Sequence, residues 1–144
     1  MSSMSYSLSF SKAVLVVIFI SDKIKRGQYE YLSTQLISEM LSIPKPTLVK
    51  ILQGLTMAGI VETKEGKMGG IRLAKQPKDI TILDIFDALE KGKPLFQTSF
   101  NILAEGKRPS NAQKAIASLL NHAETQMKQL LADKNIAEIL EEMD

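Results

Sequence analysis

The chain has 144 residues, 44% hydrophobic and 24% charged, which suits one globular domain with room for an appended dimerisation element and is too apolar for a disordered chain. It holds no cysteine and a single histidine, His122, which excludes disulfides, thiolate zinc sites, cysteine-ligated iron–sulfur clusters and thiol redox sensing, and leaves a histidine metal site short of donors. The formal net charge of +2 hides an asymmetry: residues 1–75 carry ten Lys/Arg and five Asp/Glu, residues 76–144 eight and eleven, so the first half suits a polyanion and the second does not.

Residues 8–26 read as a first helix, apolar nearly all round. The β-branched content of Val14, Val16, Val17, Ile18 and Ile20 favours a strand on propensity alone, but the apolar block with its flanks has helical length. Residues 13–20 fall well short of the roughly 20 apolar residues a membrane span needs. Only Lys12 precedes them as a positive charge, and Asp22-Lys23-Ile24-Lys25-Arg26 follows where a signal peptide would place small residues. The block is therefore expected to be a helix buried at the centre of a cytoplasmic domain, with no membrane contact. Gly27 is a plausible stop.

Ser33 can cap a second helix running to about Leu41, with Leu36, Ile37, Met40 and Leu41 inward. The connection Ser42-Ile43-Pro44-Lys45 is short. Pro46 suits the first turn of a third helix, which shows Leu48, Ile51, Leu52 and Leu55 on one face and ends before Gly59. The period then changes. Residues 60–64 look like a strand, 65–70 like a glycine-rich turn and 71–74 like a returning strand. Thr81 opens a helix to about Glu90, helped by Asp84 three residues on. Residues 91–109 read as irregular. Ser110 and Gln113 have the spacing of a capping box for a long helix, along which Ala112, Ala115, Ile116, Leu119, Leu120, Ala123, Met127, Leu130 and Leu131 recur at three- and four-residue steps. Asn135 and Glu138 form a second capping box before a short last helix.

The expected fold is mainly α with a small β-hairpin wing: a winged helix-turn-helix domain over residues 1–90, an irregular connection over 91–109, and a long dimerisation helix with a short terminal helix over 110–144. In such a unit the second helix of the pair enters a major groove about 12 Å wide, and the hairpin reaches the flanking groove or backbone. The outward positions of the third helix are Lys45, Pro46, Thr47, Val49, Lys50 and Gln53. Lys45 and Lys50 can neutralise phosphates or donate to guanine; Thr47 can bond a phosphate or offer its methyl to thymine. Lys64, Lys67 and Arg72 charge the wing. The stripe from Ala112 to Leu131, with Ile116, Leu119, Leu120, Ala123, Met127 and Leu130 at its centre, reads as a dimer seam.

These blocks resemble the Rrf-type family of bacterial winged-helix regulators, which includes IscR-like, NsrR-like and CymR-like proteins. The similarity is carried by residues 36–44 (LISEMLSIP), 48–55 (LVKILQGL), 58–61 (AGIV), 66–74 (GKMGGIRLA) and 80–85 (ITILDI), in that order and spacing. The resemblance implies a homodimer that reads a pseudo-palindromic operator in double-stranded DNA, usually as a repressor. It implies DNA contact by Ser33 and Thr34 at the second helix, by Pro46, Thr47 and Lys50 in the recognition helix, and by Lys64, Lys67 and Arg72 in the wing. The chain departs from the family in places. Ile37 stands where many members have alanine, Ser42 where many have glycine, and Glu65 near the arginine that some members insert from the wing. Cluster-binding members have three cysteines in the segment equivalent to about residues 91–108, where this chain has none, so no cofactor is expected.

The sensor is left open. Phe96, Phe100, Ile102 and Leu103 are expected to pack under the wing or across the dimer, and would otherwise line a pocket for an unknown small effector. The signal could also be a protein effector. Lone His122 is expected on the surface or in an interface. The main alternative function is a winged protein-interaction module without DNA binding. An enzyme is not expected: no Ser–His–Asp set or paired carboxylates are visible, and the glycine-rich stretch 65–70 lacks the strand–loop–helix setting of a phosphate loop.

Overall fold

The computed structural model describes residues 2–90 and 92–144; Lys91, the first residue of the expected connection, lies outside them. In chain order the elements are α1 (Ser2–Lys25), α2 (Thr34–Leu41), α3 (Lys45–Met57), β1 (Val61–Lys64), β2 (Gly70–Leu73), a 3-10 turn (Pro77–Asp79), α4 (Ile82–Glu90), α5 (Lys107–Ala132) and α6 (Ile136–Glu141). The fold is a winged helix with a long C-terminal helix.

The first helix begins at Ser2, six residues before the expected start at residue 8. Within it the Phe10 ring meets Phe86 of α4 edge to face, with centroids 5.3 Å apart, a contact worth about 1 kcal/mol beyond its buried area. Nor is α1 buried all round. Ala13, Val16, Val17 and Ile20 are fully buried at steps of three and four, while Leu8 and Leu15 are exposed. A single stripe faces the core, as for any helix lying on one side of a two-layer domain.

Ser33 caps α2, its hydroxyl accepting from the Leu36 N–H at 3.0 Å. Ile37 is fully buried, but Met40, expected inward, is 59% exposed. It borders a shallow surface groove with Phe19, Tyr29 and Leu36. Ser42 ends the helix in the left-handed conformation at φ 53°, ψ 43°, the geometry that usually selects glycine. The turn is held by the Ile43 N–H donating to the Ser38 carbonyl and by the Ser38 hydroxyl donating to the Ile43 carbonyl at 2.6 Å.

Leu48, Ile51, Leu52 and Leu55 of α3 enter the core with Leu32, Ile60, Val61, Ile71, Ile80 and Ile85. Gly54 permits a close approach between helices: a Cβ there would lie 3.1 Å from the Ala88 carbonyl oxygen of α4. The Ile60 N–H returns to the Leu55 carbonyl at 2.9 Å, so the wing starts as soon as α3 ends. β1 and β2 pair antiparallel, Val61 opposite Leu73 and Glu62 opposite Arg72. Leu32 exchanges both backbone hydrogen bonds with Ile71, at 2.9 and 2.7 Å, which fastens the segment before α2 to the base of the wing.

Thr81 and Asp84 form a reciprocal cap at the start of α4, at 2.9 and 3.0 Å, and Asn135 and Glu138 do the same for α6. The two helix starts are laced together, the Ile82 N–H bonding the Lys134 carbonyl and the Ile136 N–H the Ile80 carbonyl, both at 2.9 Å. As a result α6 packs on α1 and puts Ile136 and Leu140 into the core.

The long helix starts at Lys107, three residues before the expected box, with Gly106 as its N-cap. The Ser110–Gln113 box does not form. The Ser110 N–H donates to the Gly106 carbonyl instead, and the Gln113 side chain turns back to the Pro109 carbonyl at 3.4 Å. Pro109 is no obstacle, since first-turn amides have no partner within the helix.

Candidate nucleic-acid interface

Opposite the buried stripe of α3, Lys45, Pro46, Val49, Lys50 and Gln53 are exposed. Thr47 is only half-buried at the flank of this face, beside a cleft that it lines with Lys50, Gln53, Met57 and Ala88. Ser33 is exposed at the start of α2 with its hydroxyl already engaged in the cap, and Thr34 beside it is half-buried. Among the described residues Lys45, Lys50 and Lys67 make no ion pair, so each ammonium is available to an incoming anion.

The wing has an inner and an outer face. Val61 and Ile71 point to the core, and period-two alternation puts Glu62, Lys64 and Arg72 on the other side. There the Tyr31 ring sits under two cations, the Lys64 ammonium 5.4 Å and the Arg72 guanidinium 4.8 Å from its centroid. The Arg72 Nε donates to the Glu62 carboxylate at 2.7 Å, a bond that raises the arginine's pKa. Arg72 is thus committed to a cross-strand pair and a ring, whereas Lys64 keeps its ammonium hydrogens and Lys67 is exposed at the tip. Exposed pairs of this kind add little stability; their role is to hold a side chain in place.

One participant, Tyr31, escaped the sequence reading, and Met68 and Gly69 were read only as parts of the glycine-rich turn. Tyr31 organises the wing cations and would have needed the Leu32–Ile71 pairing to be found. Met68, 84% exposed at the hairpin tip, was signalled only by an apolar residue among glycines. Gly69 is required there because a Cβ would collide with the Lys64 carbonyl.

On α5 the single apolar stripe expected from sequence is divided. Leu120 and Met127 are half-buried on the side facing the body, while Ile116, Leu119, Ala123 and Leu130 are exposed, Leu119 and Leu130 at 67% and 71%. None of the helix's 26 residues is buried. Phe96, Phe100, Ile102 and Leu103 are all at least one-third exposed, Leu103 at 96%. Their segment is anchored by the Leu95 N–H, which donates to the Glu124 carboxylate at 2.6 Å. His122 is exposed.

The model of the Rrf2 family, described as iron-dependent transcriptional regulators, matches residues 6–142. The chain belongs to the Rrf2 family. It is 25% identical to YffB of Lactococcus lactis over 142 residues, 96% of this chain and 88% of that protein. Against the HTH-type transcriptional regulator NsrR of Bacillus subtilis it is 45% identical over 49 residues, 34% of each chain. Among solved structures it is similar to IscR of T. potens, with a TM-score of 0.69 and 19% identity over 94% of this chain and 85% of that one. It is also similar to CymR of B. subtilis, the global cysteine regulator, with a TM-score of 0.66 and 20% identity over 94% and 95%. These likenesses make the fold that of the Rrf2 winged-helix regulators.

The iron in the family's description does not fit this chain. Thiolate ligands are absent from a sequence without cysteine, and among the described residues no group of three or more His, Cys, Asp or Glu side chains could hold a metal ion. The irregular segment between α4 and α5 presents Phe96, Phe100 and Leu103. No helix among the described residues is long and apolar enough to cross a membrane.

Proposed function

We propose that this Rrf2-family protein is a homodimeric, cluster-free transcriptional repressor that binds a pseudo-palindromic operator in the cytoplasm. The supporting observation is the two-sided character of α3. Its inner face is core, and its outer face carries Lys45 and Lys50, without an ion pair among the described residues, together with Val49 and, one turn further on, Gln53, ahead of a cationic wing. A helix so mounted fits the major groove: its lysines meet phosphate or guanine, and Gln53 can read an adenine edge. Ser33 and Thr34, at the positive end of the α2 dipole, suit a flanking phosphate. Lys64 and Lys67 suit the backbone beside the wing, with Arg72 acting through its hold on Tyr31 and Glu62. The exposed row Ile116, Leu119, Ala123 and Leu130, backed by Leu120 and Met127, is the proposed dimer seam. It would set two α3 helices about 34–36 Å apart, one helical turn of DNA. Repression follows if the occupied operator excludes polymerase.

Mapping bound DNA across the genome would supply the operator, and fluorescence anisotropy its affinity. Thr47→Ala with Lys50→Ala is expected to weaken operator binding by about 2–5 kcal/mol with the fold intact, and binding should fall steeply with salt. Affinity unchanged by both the substitutions and the salt would favour a protein-interaction module.

A further inference from the structure

A second feature lies away from α3. A cavity of about 630 Å³ opens between the last turn of α1, the stretch from β2 to the 3-10 turn, and α6. Its volume is that of a small-molecule site. The walls are largely apolar, formed by Ile24, Leu73, Pro77 and Leu140 among others. Lys25, Lys75 and Lys78 also line it, and no Asp or Glu does. None of these three lysines makes an ion pair among the described residues. The fourth cation, Arg72, is already paired with Glu62.

The wall also holds an unsatisfied polar atom. Ser21 is 3% exposed, and its Oγ has no hydrogen-bond partner. That oxygen is covered by the wall and so does not itself face the cavity. A largely apolar lining and three cations without a counter-charge are complementary to one kind of molecule: an aliphatic or aromatic body with a single anionic head. The carbonyl end of α1 carries partial negative charge, which Lys25 offsets in place.

We propose that this cavity is an effector site for a small organic carboxylate, its head held by Lys75 and Lys78 and its body against Ile24, Leu73 and Leu140. Binding itself does not depend on DNA. Only its consequence rests on the regulator reading: an occupant touching Leu73 and Arg72 would bear on β2 and so on the wing.

The test is titration of the full chain, without DNA, with octanoate and phenylacetate, followed by methyl NMR and by thermal shift, with octan-1-ol as the uncharged control. Saturable binding of one carboxylate per chain is expected, with shifts centred on Ile24, Leu73 and Leu140. Lys75→Ala with Lys78→Ala should weaken the carboxylate about tenfold and leave octan-1-ol unchanged. The proposal is overturned if neither carboxylate binds saturably, if octan-1-ol binds as well, or if the shifts map to α5. Binding to phosphatidylglycerol vesicles that octanoate does not displace would assign the lysines to a lipid surface and would equally overturn it. Loss of operator binding in the α3 variant would leave this titration unaffected, so the two readings fail separately.

Discussion

The carboxylate of Glu124, in the C-terminal half of α5, accepts the backbone N–H of Leu95 at 2.6 Å and pairs with the Lys128 ammonium at 3.1 Å. The first contact fastens the irregular segment after α4 to the long helix, and the second, within α5, holds the carboxylate in place. The Leu95 bond, helped by Lys128 and a second backbone donor at Phe96, holds the Glu124 pKa below the ordinary carboxylate value. A depressed folded-state pKa means that the stabilisation is complete above the ordinary value and is lost as pH falls through the lower one. Amide exchange at Leu95, corrected for intrinsic rates, should therefore quicken in that acidic window. Glu124→Ala should speed it roughly tenfold at neutral pH. Glu124→Gln retains an acceptor and should flatten the pH dependence. Exchange at Leu95 unaffected by Glu124→Ala would show that the segment is held by something else.

Ser42 occupies a left-handed conformation that costs a residue with a Cβ about 1–2 kcal/mol relative to glycine. Ser42→Gly relieves that cost, partly offset by the greater freedom of glycine in the unfolded chain. A net gain of about 0.5–1 kcal/mol is expected in urea unfolding. A loss of stability would mean that the serine side chain makes a contact outweighing its backbone strain.

Gly70 starts β2 at φ +142°, and a Cβ there would lie 2.6 Å from the Leu32 carbonyl oxygen. Conformation and space both require glycine. Gly70→Ala should break the Leu32–Ile71 pairing and cost about 2–3 kcal/mol. By contrast, Gly66, with open space around it, should tolerate alanine at the smaller cost of its positive φ. Comparing the two variants by thermal unfolding checks the order.

The exposed row on α5 should be decisive for assembly. Leu119→Glu with Leu130→Glu puts two carboxylates on the proposed seam, where an unpaired charge buried on association is strongly unfavourable. Light scattering should show a dimer for the parent chain and a monomer for the variant, with unchanged far-ultraviolet circular dichroism. Both chains remaining dimeric would move the seam elsewhere, first to the exposed Leu8 and Leu15 of α1.

Much of the architecture was legible because it depends on local chemistry. The Ser33 cap, the Asn135–Glu138 box, the stripe Leu48, Ile51, Leu52 and Leu55, and the glycine-rich hairpin each answer to residues within a few positions of one another. Errors fell where a distant partner decides. Met40 is left outside a helix pair whose packing is not written in its own turn, and α1 is covered along one stripe only; the Ser110–Gln113 box lost instead to a local competitor, the helix start at Gly106. The lysines of α3 were readable as an outward face, but the commitment of Arg72 to Glu62 and Tyr31 was not, because it needs the strand register and the Leu32 bridge together.

Sequence alone determined the family, the order of helices and hairpin, and the absence of thiolate ligands, because periodicity, caps and composition act over short distances along the chain. Tertiary structure alone decided which face of α1 and α5 is left uncovered, and that Ser21, Leu73, Lys75, Lys78 and Leu140 surround one cavity. Those residues lie on α1, β2, the 3-10 turn with the stretch before it, and α6, and only the packing of these parts brings them around a single cavity.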